Sequence, residues 1–217
     1  EDWRRTVDGI LSIEANQRLY IDPVREALNP EHIKEMYNKL FSNDKVFIHA
    51  HFGTNDIEDI FAKLRYLIVG CDCKWVIVDH LHMLVSASAE GDERRTIDMI
   101  MTRLRSLVEE TGAGIVLVSH LRRVEGNKGH ENGISVSLSH LRGSNSIAQL
   151  SDCVIALERD QQSTDDIESR TTRLRILKSR YTGDVGMASA LLYNVETGRL
   201  SEQHDEELEF SKESSPF

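Results

Sequence analysis

Two short apolar runs, each closed by polar residues and separated by a long amphipathic stretch, limit what this chain can fold into. Trp75-Val-Ile-Val78 ends in Asp79, and Ile115-Val-Leu-Val118 ends in Ser119-His120. Between them Ile97, Ile100, Met101, Leu104 and Val108 recur at helical spacing from about residue 92 to residue 110, and Gly112 closes the pattern. Strands of unbroken apolar character that alternate with helices argue for an α/β fold. The sheet is expected to be mostly parallel and covered on both faces.

The flanking segments fit that scheme. Residues 2–15 place Trp3, Val7, Ile10 and Leu11 on one helical face, and Asn29-Pro30 opens a second helix carrying Ile33, Met36, Tyr37, Leu40 and Phe41. A short strand is expected at 45–49. Asn55 or Asp56 then opens a helix that carries Ile57, Ile60, Phe61, Leu64, Leu67 and Ile68 and stops near Gly70. Residues 121–139 are polar, glycine-bearing and without helical period, so a long exposed excursion is expected there. Further strands are expected near 153–157, 172–178 and 187–193. The domain reading is one α/β unit over 1–200, followed by an acidic, disordered tail over 201–217.

Composition narrows the class. The chain is 40% hydrophobic and 29% charged, an ordinary globular balance, and no apolar run approaches the length of a membrane span. Three cysteines without metal-type spacing read as reduced thiols of a cytoplasmic protein. Half of the net charge of −10 falls on the tail, where six acids meet only Lys212. Net charge therefore says little about a local groove. The chain opens on Glu1 rather than Met and runs at once into a helical pattern, and is expected to be a fragment.

Several residues carry candidate chemistry. Asp79 and His120 fall at the carboxyl ends of strands, where α/β sheets bind ligands and an acid can hold magnesium against nucleotide phosphates. An aspartate that ends a strand also serves as a plain cap or turn residue, and a histidine there as a satisfied edge group. After them come Arg122, Arg123 and Lys128, and then Leu141-Arg-Gly-Ser144, in which glycine permits close backbone approach to a phosphate and Arg142 and Ser144 supply donors. Arg173 and Arg175 share a strand face that would keep an edge soluble. Lys178 and Arg180 precede the Gly183 turn, where a base could reach a neighbouring subunit's phosphate.

Taken in order, Trp75-Val-Ile-Val-Asp79-His, Ile115-Val-Leu-Val-Ser-His120-Leu, Leu141-Arg-Gly-Ser144 with Gln149-Leu-Ser-Asp152, and Ile176-Leu-Lys178-Ser-Arg180-Tyr-Thr-Gly183-Asp resemble the RecA-like domain of replicative ring helicases. That family includes phage helicase–primases, Twinkle and DnaB. The run Val85-Ser-Ala-Ser88 with Asp92-Glu-Arg94 looks closest to the phage branch, and the resemblance covers about residues 1–200.

The resemblance implies NTP hydrolysis coupled to translocation on single-stranded DNA and to duplex unwinding. Asp79 would be the magnesium-holding acid, with ATP or dTTP as nucleotide. His120 would sense the γ-phosphate, with Gln149 coupling nucleotide state to the DNA loops. Arg180, assisted by Lys178, would be an arginine finger for the adjacent subunit of a hexameric or heptameric ring. Arg159 and Tyr193 would sandwich the nucleotide base. Arg122, Arg123, Lys128, Arg142, Gly143 and Ser144 would face DNA in the channel. The acidic tail ending in Phe217 would dock on a partner DNA polymerase.

The departures are equally definite. No GxxxxGK[ST] occurs in the 217 residues. The phosphate-binding loop is expected upstream of Glu1. Glu1 itself fits the second residue of an acidic pair whose first member would be the catalytic glutamate, so the chain alone is expected to be inactive. Two other readings compete. A metal-dependent hydrolase would use His49, His51, Asp79, His80 and His82. A RecA-like recombinase or clamp would share the fold without unwinding DNA.

Overall fold

The computed structural model describes residues 2–42, 45–49, 56–86, 92–124 and 129–203. Helices α1 (Trp3–Ala15), α2 (Asp22–Glu26) and α3 (Pro30–Phe41) form an N-terminal group around Val7, Leu11, Leu19 and Met36. Asn29 caps α3 as expected, its side chain accepting from the Glu31 amide. Helix α4 (Ile57–Arg65), capped by Asp56, runs on as a π-helical turn over Tyr66–Gly70. The strand β1 (Trp75–Val78), the short helix α5 (Leu81–Ser86), the long helix α6 (Glu93–Thr111) and the strand β2 (Gly114–Leu117) follow.

Helix α6 organises the larger core. Asp92 caps its start by accepting from the Arg94 and Arg95 amides, and Gly112, at φ 70°, ends it in the left-handed region. Its apolar stripe buries Ile97, Ile100, Met101, Leu104 and Leu107 against α4, α5 and one face of the β1–β2 pair. Strands β1 and β2 pair in parallel, with Val78 opposite Leu117.

The later part of the chain comprises a 3-10 turn (Leu138–His140), α7 (Ser146–Leu150), β3 (Cys153–Glu158), α8 (Asp166–Arg170), β4 (Thr171–Ser179), β5 (Gly186–Tyr193) and β6 (Leu200–Glu202). These four strands form an antiparallel sheet in the order β3-β4-β5-β6.

The α/β class therefore stands, while several details differ from expectation. Among the described residues parallel pairing is confined to β1–β2, and the four later strands pair antiparallel throughout. The two-sided cover is also incomplete. Val76 is buried while Trp75 and Ile77 are each 73% exposed, because the described helices pack against one face only. Residues 45–49 join no strand ladder. Strand β4 lies between β3 and β5 rather than at an edge.

The described parts of the excursion, 121–124 and 129–139, are tied to the rest of the fold. Leu121 bridges Leu141, Asn132 bridges Asp160, and the amide of the buried Val136 donates to the buried carboxylate of Glu158 at 2.7 Å. Ser201 and Glu202 pair with β5 as part of β6, so the sheet reaches past residue 200. The tail residues 204–217, Lys128, His51 and Glu1 lie outside the described residues.

Candidate functional site at the ends of β1 and β2

Parallel pairing places the carboxyl ends of β1 and β2 side by side, so the polar residues after each strand meet at one edge. The Val118 amide donates to the Val78 carbonyl at 3.0 Å, and the Leu81 amide donates to the Val118 carbonyl at 2.9 Å. Asp79 and His120 are both exposed there. That gives one carboxylate and one imidazole on an open edge, the arrangement expected for a phosphate-handling site.

His80 and His82 crowd the same edge. The rings of His80 and His120 lie 4.1 Å apart, centre to centre, those of His82 and His120 5.3 Å, and those of His80 and His82 6.1 Å. Burial pushes both His80 and His82 below the usual histidine range, reinforced chiefly by His120 at His80 and by Arg142 at His82. Sequence reasoning noticed the His80–His82 pair as candidate metal ligands near a strand end. The chain turns into α5 at Leu81, which brings both to one side. Their companion in the cluster is His120, from the end of the other strand.

The Leu141-Arg-Gly-Ser144 loop is held against α6. Arg142 Nε donates to Glu93 at 3.1 Å, and the Arg142 amide donates to the His120 carbonyl at 3.2 Å. Gly143 has φ 103°, and a Cβ there would lie 2.2 Å from Ile97 Cδ1. The positive φ, together with the close approach to Ile97, calls for glycine here. Ser144 is buried and its hydroxyl donates to Asp98, which lowers that carboxyl's pKa. In this structure the Ser144 hydroxyl is committed inside the fold rather than offered at the surface. Arg122 and Arg123 are exposed, with the Arg122 amide donating to the His140 carbonyl at 2.8 Å.

The expected finger residues are tied to α7. Lys178 Nζ donates to the carbonyls of Ala148 (2.6 Å), Gln149 (3.1 Å) and Ser151 (2.8 Å), satisfying the C-terminal end of that helix. Burial and the nearby Arg180 lower its pKa. Arg180 donates to the Gln149 carbonyl at 2.9 Å and pairs with Asp152 at 3.2 Å. Both carboxylate oxygens of Asp152 also accept from Arg105 of α6, at 2.9 and 2.8 Å. Gln149 is therefore joined to both bases through its backbone carbonyl. The link between Asp152 and Arg105 escaped sequence reasoning, since it spans 47 positions and leaves no local signature.

Arg159 and Tyr193 are brought together, with the guanidinium 5.9 Å from the ring centre. Arg159 also donates to the Ser169 carbonyl at 2.6 Å and lines a cavity of about 330 Å³ with Glu158, Arg173 and Arg175. Arg175 pairs with the buried Glu158 at 2.8 Å, and Arg173 pairs with Glu168 of α8, so both bases are engaged within the fold.

The profile of the DnaB-like helicase C-terminal domain matches residues 11–202. The chain belongs to that family. It is 39% identical over 202 residues to the DNA helicase/primase of Enterobacteria phage T3, covering 92% of this chain and 35% of that protein. The chain thus spans about a third of the length of this relative. Among solved structures, an ATPase domain aligns with TM-score 0.70 and 20% identity over 93% of this chain and 71% of that one. A DnaB-like replicative helicase, described with its interactions with primase, aligns with TM-score 0.68 and 20% identity over 90% and 46%. The helicase family and the RecA-like α/β fold both agree with the resemblance read from the motifs. Among the described residues no helix is long and apolar enough to cross a membrane.

Proposed function

We propose that this DnaB-like domain supplies the sheet edge and DNA loops of an NTP-driven motor that moves on single-stranded DNA and unwinds duplex. The observation that carries this reading is the placement of Asp79 and His120 on one open edge, at the ends of two adjacent parallel strands.

One exposed carboxylate suits Mg2+, which keeps most of its waters and binds through one or two carboxylates together with substrate phosphates. Asp79 would hold it with ATP or dTTP, and Mg2+ when bound neutralises charge that develops on the transferred phosphoryl group. His120 donates a hydrogen bond to the terminal phosphate, and the backbone link from its carbonyl to Arg142 carries its position into the loop. Arg159 and Tyr193 flank the base. Arg180, assisted by Lys178, reaches the adjacent subunit's site in a ring of six or seven, and Arg122, Arg123, Lys128 and Arg142 line the DNA path. The acidic tail ending in Phe217 docks on a DNA polymerase through charge steering and one aromatic anchor.

The deciding experiment is strand displacement on a forked duplex by a full-length helicase that carries these residues, measured beside DNA-stimulated hydrolysis. Both activities are expected. Hydrolysis without displacement would favour the recombinase or clamp reading instead.

A further inference from the structure

The three histidines at the β1–β2 edge have a property the nucleotide reading does not use. His82 is only 8% exposed, and neither of its ring nitrogens has a hydrogen-bond partner; Nδ1 of His80 is likewise buried and unpartnered. Leaving buried polar atoms without partners is costly, and such groups call for a ligand. One ligating nitrogen from each of His80, His82 and His120 can be chosen so that all three lie within 4.8 Å of one another. Three imidazoles around a zinc ion, each about 2.0–2.1 Å from it, sit roughly 3.4 Å apart. Closing from the present spacing needs a shift of about 1.4 Å at most between any two of them, shared among the three side chains.

We propose that His80, His82 and His120 form a binding site for a divalent transition cation, zinc by preference, separate from the magnesium held through Asp79. Donor chemistry separates the two ions. Neutral imidazole suits zinc, copper and nickel, whereas magnesium demands oxygen ligands. Glu93 Oε1 stands 3.8 Å from His82 Nε2, where a small movement lets it accept that N–H, fix the tautomer and leave the other nitrogen for the cation. Arg142, the remaining charged neighbour, is itself engaged by Glu93. Three protein ligands leave a fourth position for water, and no reaction is assigned to it.

The site also has a consequence that rests on the reading of His120 as phosphate sensor. Coordination takes one His120 nitrogen and pins the ring toward His80 and His82, away from a terminal phosphate, so zinc inhibits hydrolysis while magnesium supports it.

Cobalt(II), which reports tetrahedral coordination by its visible absorption, and zinc titrated calorimetrically test the site on this chain. One ion per chain with micromolar or tighter affinity is expected, undiminished by millimolar magnesium. His82→Ala and His80→Ala should each weaken zinc at least tenfold, and Asp79→Asn should not. His120→Ala, at an exposed position that cannot unfold the core, should do the same. Absence of stoichiometric binding, or wild-type affinity in both His82→Ala and His120→Ala, overturns the site. In a full-length helicase, zinc should inhibit the wild type at concentrations that leave His82→Ala active. Binding that depends on the histidines but leaves hydrolysis untouched upholds the site and overturns the sensor role of His120.

Discussion

The β1–β2 edge and the end of β4 were both expected to handle phosphate, yet their side chains are in opposite states. At the edge, Asp79 and His120 are exposed, and the buried nitrogens of His82 lack partners. At the end of β4, Lys178 donates to three backbone carbonyls and Arg180 is engaged by Gln149 and Asp152. An open edge can accept a ligand without losing internal contacts. A clamped base must exchange internal partners for external ones, and its reach is set by α7. Residues of the first kind should affect chemistry alone, and residues of the second kind chemistry and stability together.

The largest expected effect falls on Arg180. In a full-length ring, Arg180→Ala should lower hydrolysis roughly a thousandfold. Mixing it with Asp79→Asn subunits should restore part of the rate, because some sites then pair an intact Asp79 with a neighbour's intact Arg180. Steady-state hydrolysis of the mixtures measures this, and no recovery under subunit exchange would remove the finger from Arg180.

Asp79→Asn should lower hydrolysis by roughly a hundredfold while leaving the thermal midpoint of this chain nearly unchanged. A large loss of stability would place Asp79 among the structural residues and erase the contrast. Gly143→Ala tests the neighbouring loop. A methyl group forced against Ile97 at positive φ should cost about 1–3 kcal/mol, read by thermal or denaturant unfolding.

Lys178→Met removes the ammonium from the end of α7. After allowance for its partial exposure, it should cost about 1 kcal/mol in the same assay, with unfolding free energy at wild-type level excluding the capping role. The smallest effect belongs to Arg142→Ala. Its exposed pair with Glu93 contributes little stability, but the slope of log DNA affinity against log salt should fall by about 0.7. An unchanged slope would take Arg142 out of the DNA path.

Much of this was legible in the sequence where local rules decide. The helical stripe from Ile97 to Leu104, the Asn29 and Gly112 boundaries and the apolar strands all follow from periodicity and capping, which depend on near neighbours. The placement of Asp79 and His120 followed from strand ends alone. What the sequence left hidden depends on chain segments meeting across tens of residues. The link from Arg105 to Asp152, the seat of Gly143 on Ile97 and the third histidine of the cluster are of that kind. The exposed side of Trp75 and Ile77 was hidden for a different reason. An unbroken apolar strand announces that both faces seek cover, not which faces the present helices reach.

Helix α6 touches both of the contrasted regions. Near its start Glu93 and Asp98 hold Arg142 and Ser144, and near its end Arg105 holds Asp152, the partner of Arg180. Its 19 residues make a rod about 28 Å long, with a buried stripe that resists bending. Tilting such a rod about its packed middle would swing the loop and the strand end in opposite directions, with travel at each tip in proportion to its distance from the pivot.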